Sequence, residues 1–521
     1  MKFPEFKRQD VRSLTFLSLI LVVKAICAII MISYAGINLS PDEAQYWTWS
    51  QNLDVGYYSK PPGIAWQIWA GCQLFGNTEL GIRFGSVILS MLISLGMYIL
   101  SRCAGLKPLT AMWSGIVMAF SPIGILLSFA AVTDGGFILF WIVTAAYFSY
   151  CLRKDIAPNY YILGLIIACG AIFKWPQIYY LWGVIVVMAY FLSRLRTFHI
   201  IGGIALSLAG IVPSLIWNAS HEWANIRHIF NLLTGLGGQT QHHQLLNGNF
   251  LEFFGAQVGI VSPIYFAMLF LALCVMVRRG REFAPSLRFL GWTTLSLLIL
   301  AGLRAILSKV QANWFICAYP TGMVLMSWYV MEYNKKCRPW ILYGTVLSML
   351  LSILVLVIPS VQSRNVAKIP YKFNAFQHSM GWDKLRDIID DSGYDALQHF
   401  LFADTYQMSS ILSFYGIEQK RAYFLNLRNN RKNQYSFWPG MKEEQQGNTG
   451  FFVVVDNGRD CKQDVGSRTE AYNVELYQYF SEVQFLGVHN LFEMSGETQK
   501  RVLIFKCIDY NGEYPPEIIS Y

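Results

Sequence analysis

Charge is scarce in this chain. Asp, Glu, Lys and Arg make up 14% of its 521 residues, against about 25% in ordinary soluble domains. A protein that is soluble throughout is therefore excluded. The ten cysteines form no CxxC pair and no Cys/His spacing of a metal site, which argues against structural zinc and a redox motif. A phosphate-binding GxxxxGK[ST] loop and an HExxH pair are both missing, so nucleotide hydrolysis and zinc chemistry lack motif support. There is no internal repeat and no low-complexity tract. The first apolar stretch is too long for a cleavable signal and lacks a small-residue cleavage site, so it reads as a membrane helix. The net charge of +9 does not point to nucleic acid, because its Lys and Arg fall in short clusters between apolar runs, where loops meet anionic headgroups.

Long apolar runs are what the chain has instead. Hydrophobic residues reach 54% and mean hydropathy is +0.36, concentrated in segments of the roughly 17–25 residues that span a bilayer. The pattern predicts eleven membrane helices, at 13–35, 80–101, 110–130, 135–152, 159–173, 176–192, 197–217, 253–277, 286–308, 313–331 and 339–360. The fifth and sixth are separated only by Lys174, Trp175 and Pro176, and the pair also fits one broken helix beside a cavity. Basic residues mark the N-terminal tail (Lys2, Lys7, Arg8, Arg12) and then every second loop. These are Arg102/Lys107, Arg153/Lys154, Arg194/Arg196, Arg278/Arg279/Arg281 and Lys335/Lys336/Arg338. By the positive-inside rule the N-terminus is cytoplasmic, and an odd helix count places the C-terminus outside.

Three segments on the expected outer side exceed mere connectors. Residues 36–79 carry Tyr46, Trp47, Trp49, Trp66 and Trp69 among polar residues, as amphipathic helices lying in the membrane interface do. Residues 218–252 are rich in Asn, Gln, Gly and His. From about 361 to 521 the composition becomes that of a soluble domain. Strand-like runs (His399–Ala403, Phe451–Val455, Val502–Phe505) alternate there with helical ones (Trp382–Asp391, Thr405–Tyr415), which predicts a small α/β domain. Cys461 and Cys507 are the cysteines of that tail. An oxidising compartment permits a disulfide between them, and two free thiols are the alternative.

The strongest local signal is Ser40-Pro41-Asp42-Glu43-Ala44-Gln45-Tyr46-Trp47. Pro before two acids reads as a helix start favoured by the macrodipole. It also reads as a general base, since a carboxylate half-removed from water has a raised pKa and accepts a hydroxyl or amine proton. Next comes Gly56-Tyr57-Tyr58-Ser59-Lys60-Pro61-Pro62-Gly63. Its Lys60 is either a lysine snorkelling to headgroups or a cation for a lipid phosphate. Asp134, in Thr133-Asp134-Gly135-Gly136, and Lys174, in Phe173-Lys174-Trp175-Pro176, sit at outer helix ends. Ionisable groups at membrane depth are functional candidates by default, less so near the interface. All of these charges fall on one side.

Together these motifs resemble the polytopic C-type glycosyltransferases, nearest to the bacterial aminoarabinose and galacturonic acid transferases of lipid A and core and to the protein O-mannosyltransferases. The resemblance covers roughly the first 330 residues, including Lys309 and Asn313-Trp314, and is weaker over the tail. It implies an α-helical polytopic membrane protein of about eleven helices (1–360) with a C-terminal extracytoplasmic α/β domain (361–521). It implies Asp42 as the catalytic carboxylate and Lys60, joined by Lys174, as ligands of the donor phosphate. Glu43, Tyr57, Tyr58, Asp134, His242, His243 and Lys309 are then expected around the substrate cavity. Many relatives have His-Pro-Pro where this chain has Lys60-Pro61-Pro62; the aminoarabinose transferases have Lys, which favours a lipid-modifying role. A further phosphate cation is usual in the family and matches no single residue here, with His242, His243 and Arg227 as candidates.

The function so implied is inverting transfer of a sugar from a polyprenyl-phosphate donor to lipid A or another envelope glycan, at the periplasmic face of a bacterial inner membrane. The expected partners are that donor, a lipid or glycan acceptor and membrane lipids, with no nucleic acid. Polyprenyl phosphate leaves as a stable anion, so one base and one or two cations suffice. No cofactor is required; a divalent metal, which related oligosaccharyltransferases use, is left open and not favoured. A protein acceptor is the second enzymatic reading. A transporter is the alternative from another class, set against the lack of a repeat and the gathering of charge at one face.

Overall fold

The computed structural model describes residues 8–234, 248–364, 366, 369–494 and 496–515. Helices fall in all eleven expected places. The first is α1 (Arg8–Tyr34), followed by two short helices, α2 (Pro41–Gln51) and α3 (Gly63–Phe75), and then α4 (Glu79–Cys103). Next come α5 (Pro108–Phe120), α6 (Pro122–Phe129), α7 (Asp134–Lys154), α8 (Tyr160–Ile178) and α9 (Tyr180–Phe191). They are followed by α10 (His199–Ser207), α11 (Val212–Ser220), α12 (Ala224–Thr234), α13 (Phe250–Val261) and α14 (Pro263–Arg279). The last of the bundle are α15 (Pro285–Leu307), α16 (Ala318–Trp328) and α17 (Arg338–Ser363).

Among the described residues, seven helices are long and apolar enough to cross a membrane alone, or nine if each bent pair is one span. The shortfall from eleven has local causes: α9 and α16 are only 12 and 11 residues long, and proline bends two further spans. Proline lacks an amide proton and its ring clashes with the preceding turn. Pro122 accordingly sits at the 64° bend between α5 and α6, and Pro213 beside the 49° bend into α11. Pro263 follows the break at Ser262, whose φ is 93°, and divides the expected 253–277 span into α13 and α14. At Lys174, two residues before Pro176, the backbone of α8 leaves helical values (φ −158°, ψ 89°). The chain then returns as α9, and Arg194 just beyond it pairs with Asp155, just before α8, at 2.6 Å. The fifth and sixth runs are thus two helices.

The basic connectors gather at one end of the bundle. Arg102 pairs with Asp10 at 2.6 Å, and Arg153 donates to the Arg102 carbonyl. Ser286 donates to the Ala104 carbonyl at 2.9 Å and the Lys107 amide to Glu332 at 2.8 Å. The described residues of the segments expected on the other side gather at the opposite end, where the tail covers them.

The tail is an α/β domain. Its strands are β1 (His399–Ala403), β2 (Tyr423–Phe424), β3 (Thr449–Asn457), β4 (Phe480–Met494) and β5 (Glu497–Tyr510), in spatial order β2-β1-β3-β5-β4. The first three pair in parallel, while β5 runs antiparallel to both β3 and β4. The helices are α18 (Leu385–Asp391), α19 (Tyr406–Tyr415), α20 (Met441–Glu444) and α21 (Val465–Leu476). The strand-like and helical runs read from the sequence are β1, β3, β5, α18 and α19. The long β4 escaped notice because polar residues interrupt its apolar ones and few of its side chains are buried.

One open alternative is decided here and one expectation corrected. Cys461 and Cys507 are both free. Cys461 lies beside Arg501, which donates to the Asp460 carbonyl at 3.4 Å, whereas Cys507 sits opposite Gly450 further along β5. Six strand positions at about 3.3 Å each put them roughly 20 Å apart, beyond the ~7 Å Cα reach of a disulfide. The aromatic residues of α2 do not lie in the membrane interface either. Tyr46, Trp47 and Trp49 are buried, with Trp47 edge-on to Phe414 of α19 at 5.0 Å and Trp49 stacked on Tyr57 at 4.7 Å. One core runs from α2 and α3 through α19 into β3. Trp66 and Trp69 on α3 do remain exposed.

Candidate active site

The site begins at the first turn of α2. Ser40 caps it: its hydroxyl accepts from the Glu43 amide at 3.3 Å, and the Glu43 carboxylate accepts the Ser40 amide at 2.9 Å. Pro41 is preorganised for N1. Glu43 is buried, and its other contacts are Arg83 of α4 at 2.8 and 2.9 Å and the Ala131 amide at 3.0 Å. Burial alone would push its carboxyl up, but the Arg83 charge and the amides of Ala131 and Ser40 bring it below the ordinary value. Arg83 also donates to the Ile37 and Asn38 carbonyls at 2.8 and 2.9 Å. Glu43 is therefore the clamp that fixes α2 against the bundle. Adjacent residues on a helix do not share a face, so Asp42 points elsewhere, into accessible space.

Asp42 has its carboxylate exposed in a cleft walled by protein. Burial by those walls raises its pKa; Lys60 opposes the shift and Glu43 adds to it. Lys60 sits in a turn closed by the Tyr57 amide donating to the Lys60 carbonyl at 3.1 Å. Its ammonium pKa is lowered, first by burial and then by Lys174 and Arg431, while Asp134 and Asp42 act the other way. The four charges singled out in the sequence are thus brought together around Lys60. Lys174 reaches Asp134 at 2.7 Å. Two glycines allow this approach: a Cβ on Gly63 would come within 2.8 Å of the Ile172 carbonyl, and one on Gly136 within 2.4 Å of the Phe173 ring.

The remaining expected residues divide. Tyr57 is structural: its hydroxyl accepts from the Asp54 amide at 3.0 Å and lies 3.1 Å from the Trp49 carbonyl. Tyr58 lies at the site, its ring 5.0 Å from His228 of α12 and 5.3 Å from the Arg431 guanidinium. Lys309 is exposed in the connector after α15 and is not among the charges that shift Lys60 or Asp42. His242 and His243 lie outside the described residues. Arg227 is exposed on α12; its neighbour His228 reaches the site. Burial, then Arg431 and Lys60, push His228 down to about 3, so it is neutral at ordinary pH.

Arg431, Tyr406 and His228 were not found from sequence. Arg431 and Tyr406 belong to the C-terminal domain, about 350 to 370 positions from Lys60, and no local pattern marks them. A strap, residues 431–437, carries Arg431 into place. Lys432 pairs with Glu222 at 2.9 Å, Gln434 accepts from the Tyr58 amide at 2.7 Å, and Phe437 packs edge-on to Trp217 at 5.7 Å. Tyr406, at the start of α19, feels both Arg431 and Asp42.

Among the described residues, the arrangement sets one accessible carboxylate with a raised pKa beside two cations that no carboxylate pairs, Lys60 and Arg431, and a third, Lys174, held by Asp134. That suits proton acceptance next to an anionic leaving group. Among the described residues no three Asp, Glu, His or Cys side chains converge, and both site aspartates face lysines, so the residues present do not fit a divalent metal.

The chain superposes on ArnT from Cupriavidus metallidurans in the apo state with a TM-score of 0.62, at 13% identity, covering 94% of this chain and 98% of that one. The fold is that of the C-type glycosyltransferases. The same enzyme bound to undecaprenyl phosphate gives a TM-score of 0.60 at 13% identity, covering 93% and 97%. The C-type glycosyltransferase resemblance read from the motifs holds in sequence too. Residues 59–217 match the family described as dolichyl-phosphate-mannose-protein mannosyltransferase. A lipid A galacturonosyltransferase of Rhizobium johnstonii is 32% identical over 308 residues, which are 58% of this chain and 62% of that protein. An undecaprenyl phosphate-alpha-4-amino-4-deoxy-L-arabinose arabinosyl transferase of Pseudomonas fluorescens is 28% identical over 196 residues, 34% of this chain and 35% of that protein. The chain thus spans less than two thirds of the curated relatives it matches.

The clamp carries its own prediction. Arg83→Met strips the partner from a buried carboxylate, which typically costs about 3–5 kcal/mol. Thermal unfolding of purified protein should show a large loss of stability. Glu43→Gln should be destabilising too, whereas Asp42→Asn should melt close to the parent. An unchanged midpoint for Arg83→Met would mean that the ion pair does not hold α2.

Proposed function

We propose that this chain is an inverting glycosyltransferase that takes sugar from a polyprenyl-phosphate donor and places it on lipid A or another envelope glycan. The observation that carries the reading is the meeting of Asp42 with Lys60 at one membrane end of a C-type glycosyltransferase fold. In the reaction Asp42 accepts the proton of an acceptor hydroxyl while that hydroxyl oxygen bonds to the anomeric carbon. The carbon–oxygen bond to phosphate breaks, and the electron pair leaves with the carrier phosphate. Lys60 and Arg431 meet that charge, with Lys174 beside them. The names of the relatives support the lipid-linked donor and the lipid A acceptor. The match to the protein mannosyltransferase family favours a second reading with a protein acceptor. Purified protein supplied with polyprenyl-phosphate sugar should yield free carrier phosphate and a sugar-shifted lipid A by mass spectrometry. Shifted protein with unshifted lipid would select the second reading, and no transfer to either would reject both.

The same reading places the enzyme in a bacterial inner membrane, with residues 1–360 as the membrane domain and 361–521 as a periplasmic one. The basic end of the bundle then faces the cytoplasm. Reporter fusions after Lys154 and after Ser360 should report opposite sides, with Ser360 outside. A cytoplasmic signal from the Ser360 fusion would put the site on the wrong face.

A further inference from the structure

At the basic end of the bundle, away from the site, α9, α14 and α15 enclose a cavity of about 1220 Å³. It exceeds the roughly 300–1,000 Å³ of pockets for drug-sized ligands. Its long walls are apolar, from Val184, Val187, Val277 and Trp292 among others. Towards the site end it is closed where the Tyr180 hydroxyl meets Ser296 at 2.7 Å. Its mouth is lined by Arg278, Arg279, Arg281 and Arg288, with Glu282 the acid among them.

Loop arginines at this end need no ligand, since charge bias alone places them there. Their partners, however, separate two groups. Arg102 is held by Asp10, Arg194 by Asp155, Arg153 by the Arg102 carbonyl and Arg338 by the Met331 carbonyl at 2.9 Å. Among the described residues no carboxylate closes on Arg278, Arg279, Arg281 or Arg288, which is what sets them apart; the Arg288 Nε is also buried without a hydrogen-bond partner, as are the Nε atoms of Arg102 and Arg194. A buried donor left unsatisfied is costly, and a guanidinium fork matches phosphate oxygens. Apolar walls that end in such a mouth have the polarity of a lipid seen from its headgroup.

We propose that this cavity binds one anionic diacyl phospholipid of the phosphatidylglycerol type, its phosphate among the four arginines and its chains along α9 and α15. The site is separate from that of the polyprenyl donor, and it bridges three helices that make few contacts with one another.

The test uses purified full-length protein in nanodiscs of phosphatidylcholine, with phosphatidylglycerol titrated in and bound lipid read by native mass spectrometry. One retained phosphatidylglycerol is expected, with a rise in melting temperature as it binds. The triple variant Arg279→Gln, Arg281→Gln, Arg288→Gln should lower retention by about a hundredfold, because each basic residue near an anionic headgroup contributes roughly fivefold. Gly183→Leu is the second variant and leaves the charges alone. Gly183 lines the cavity and a Cβ there meets only open space, so the new side chain enters the cavity on a helix that it also favours. It should abolish retention without lowering the melting temperature of the lipid-free protein. Equal retention of phosphatidylcholine, displacement by undecaprenyl phosphate or by inorganic phosphate alone, or unaltered retention in Gly183→Leu would each overturn the proposal.

Discussion

Replacing Asp42 by Asn should lower turnover by about 100-fold or more, the scale of general-base catalysis, and leave donor affinity almost unchanged. Asn keeps the shape and hydrogen-bonding reach of the carboxylate but cannot take a proton. The side chain is exposed and joins no ion pair within the α2 clamp, so the folded protein should survive the change. Loss of kcat with little change in KM is the signature of an interaction made only in the transition state. Near-normal turnover in folded Asp42→Asn protein would remove Asp42 as the base and leave the fold untouched. The pH profile offers a second measure. Burial raises the Asp42 pKa, and the base works only when ionised. Activity should therefore rise with pH above the ordinary carboxylate range. Burial lowers the Lys60 pKa, and the cation works only when protonated. Activity should fall again at a pH below the ordinary lysine range, giving a bell, and Asp42→Asn should erase the acid limb.

Lys60→Ala should weaken donor binding and turnover together. Its charge acts on the phosphate in the ground state and again when the leaving oxygen gains charge. A loss on the order of 100-fold in kcat/KM is expected, comparable to removal of one preorganised donor. Lys60→Arg should restore part of it, since the charge returns with a different, forked geometry. Arg431→Ala should act in the same direction, because Arg431 stands over the Tyr58 ring two residues from Lys60. Donor binding, measured apart from turnover, checks all three. Lys60→Ala with unaltered donor affinity would rule out a phosphate contact by Lys60.

The contrast between Asp42 and Glu43 shows where sequence reading stops. Both acids stand at the start of one helix, and their order along the chain does not say which is buried. Arg83 decides it, and Arg83 looks like any arginine in an apolar run until the 40-residue gap closes. The aromatic run of α2 is similar. Trp47 and Trp49 have the same composition whether they face headgroups or another domain, and the docking of α19 is what buries them.

What the sequence by itself determined was one-dimensional and repetitive: bilayer-length apolar runs, the alternation of basic loops, the soluble character of the tail, and short motifs whose members are close in the chain. Such signals survive without coordinates because each is settled within one helix or one loop. It also assembled Asp42, Lys60, Asp134 and Lys174 on one side, since the side of a membrane follows from counting helices. Only the tertiary structure decided which prolines bend the bundle, that Cys461 and Cys507 sit apart on the sheet, that Glu43 is a clamp, and that the C-terminal domain delivers Arg431 to Lys60. These depend on contacts between residues up to about 370 positions apart, where packing and charge pairing choose the neighbours and local pattern carries no record of the choice.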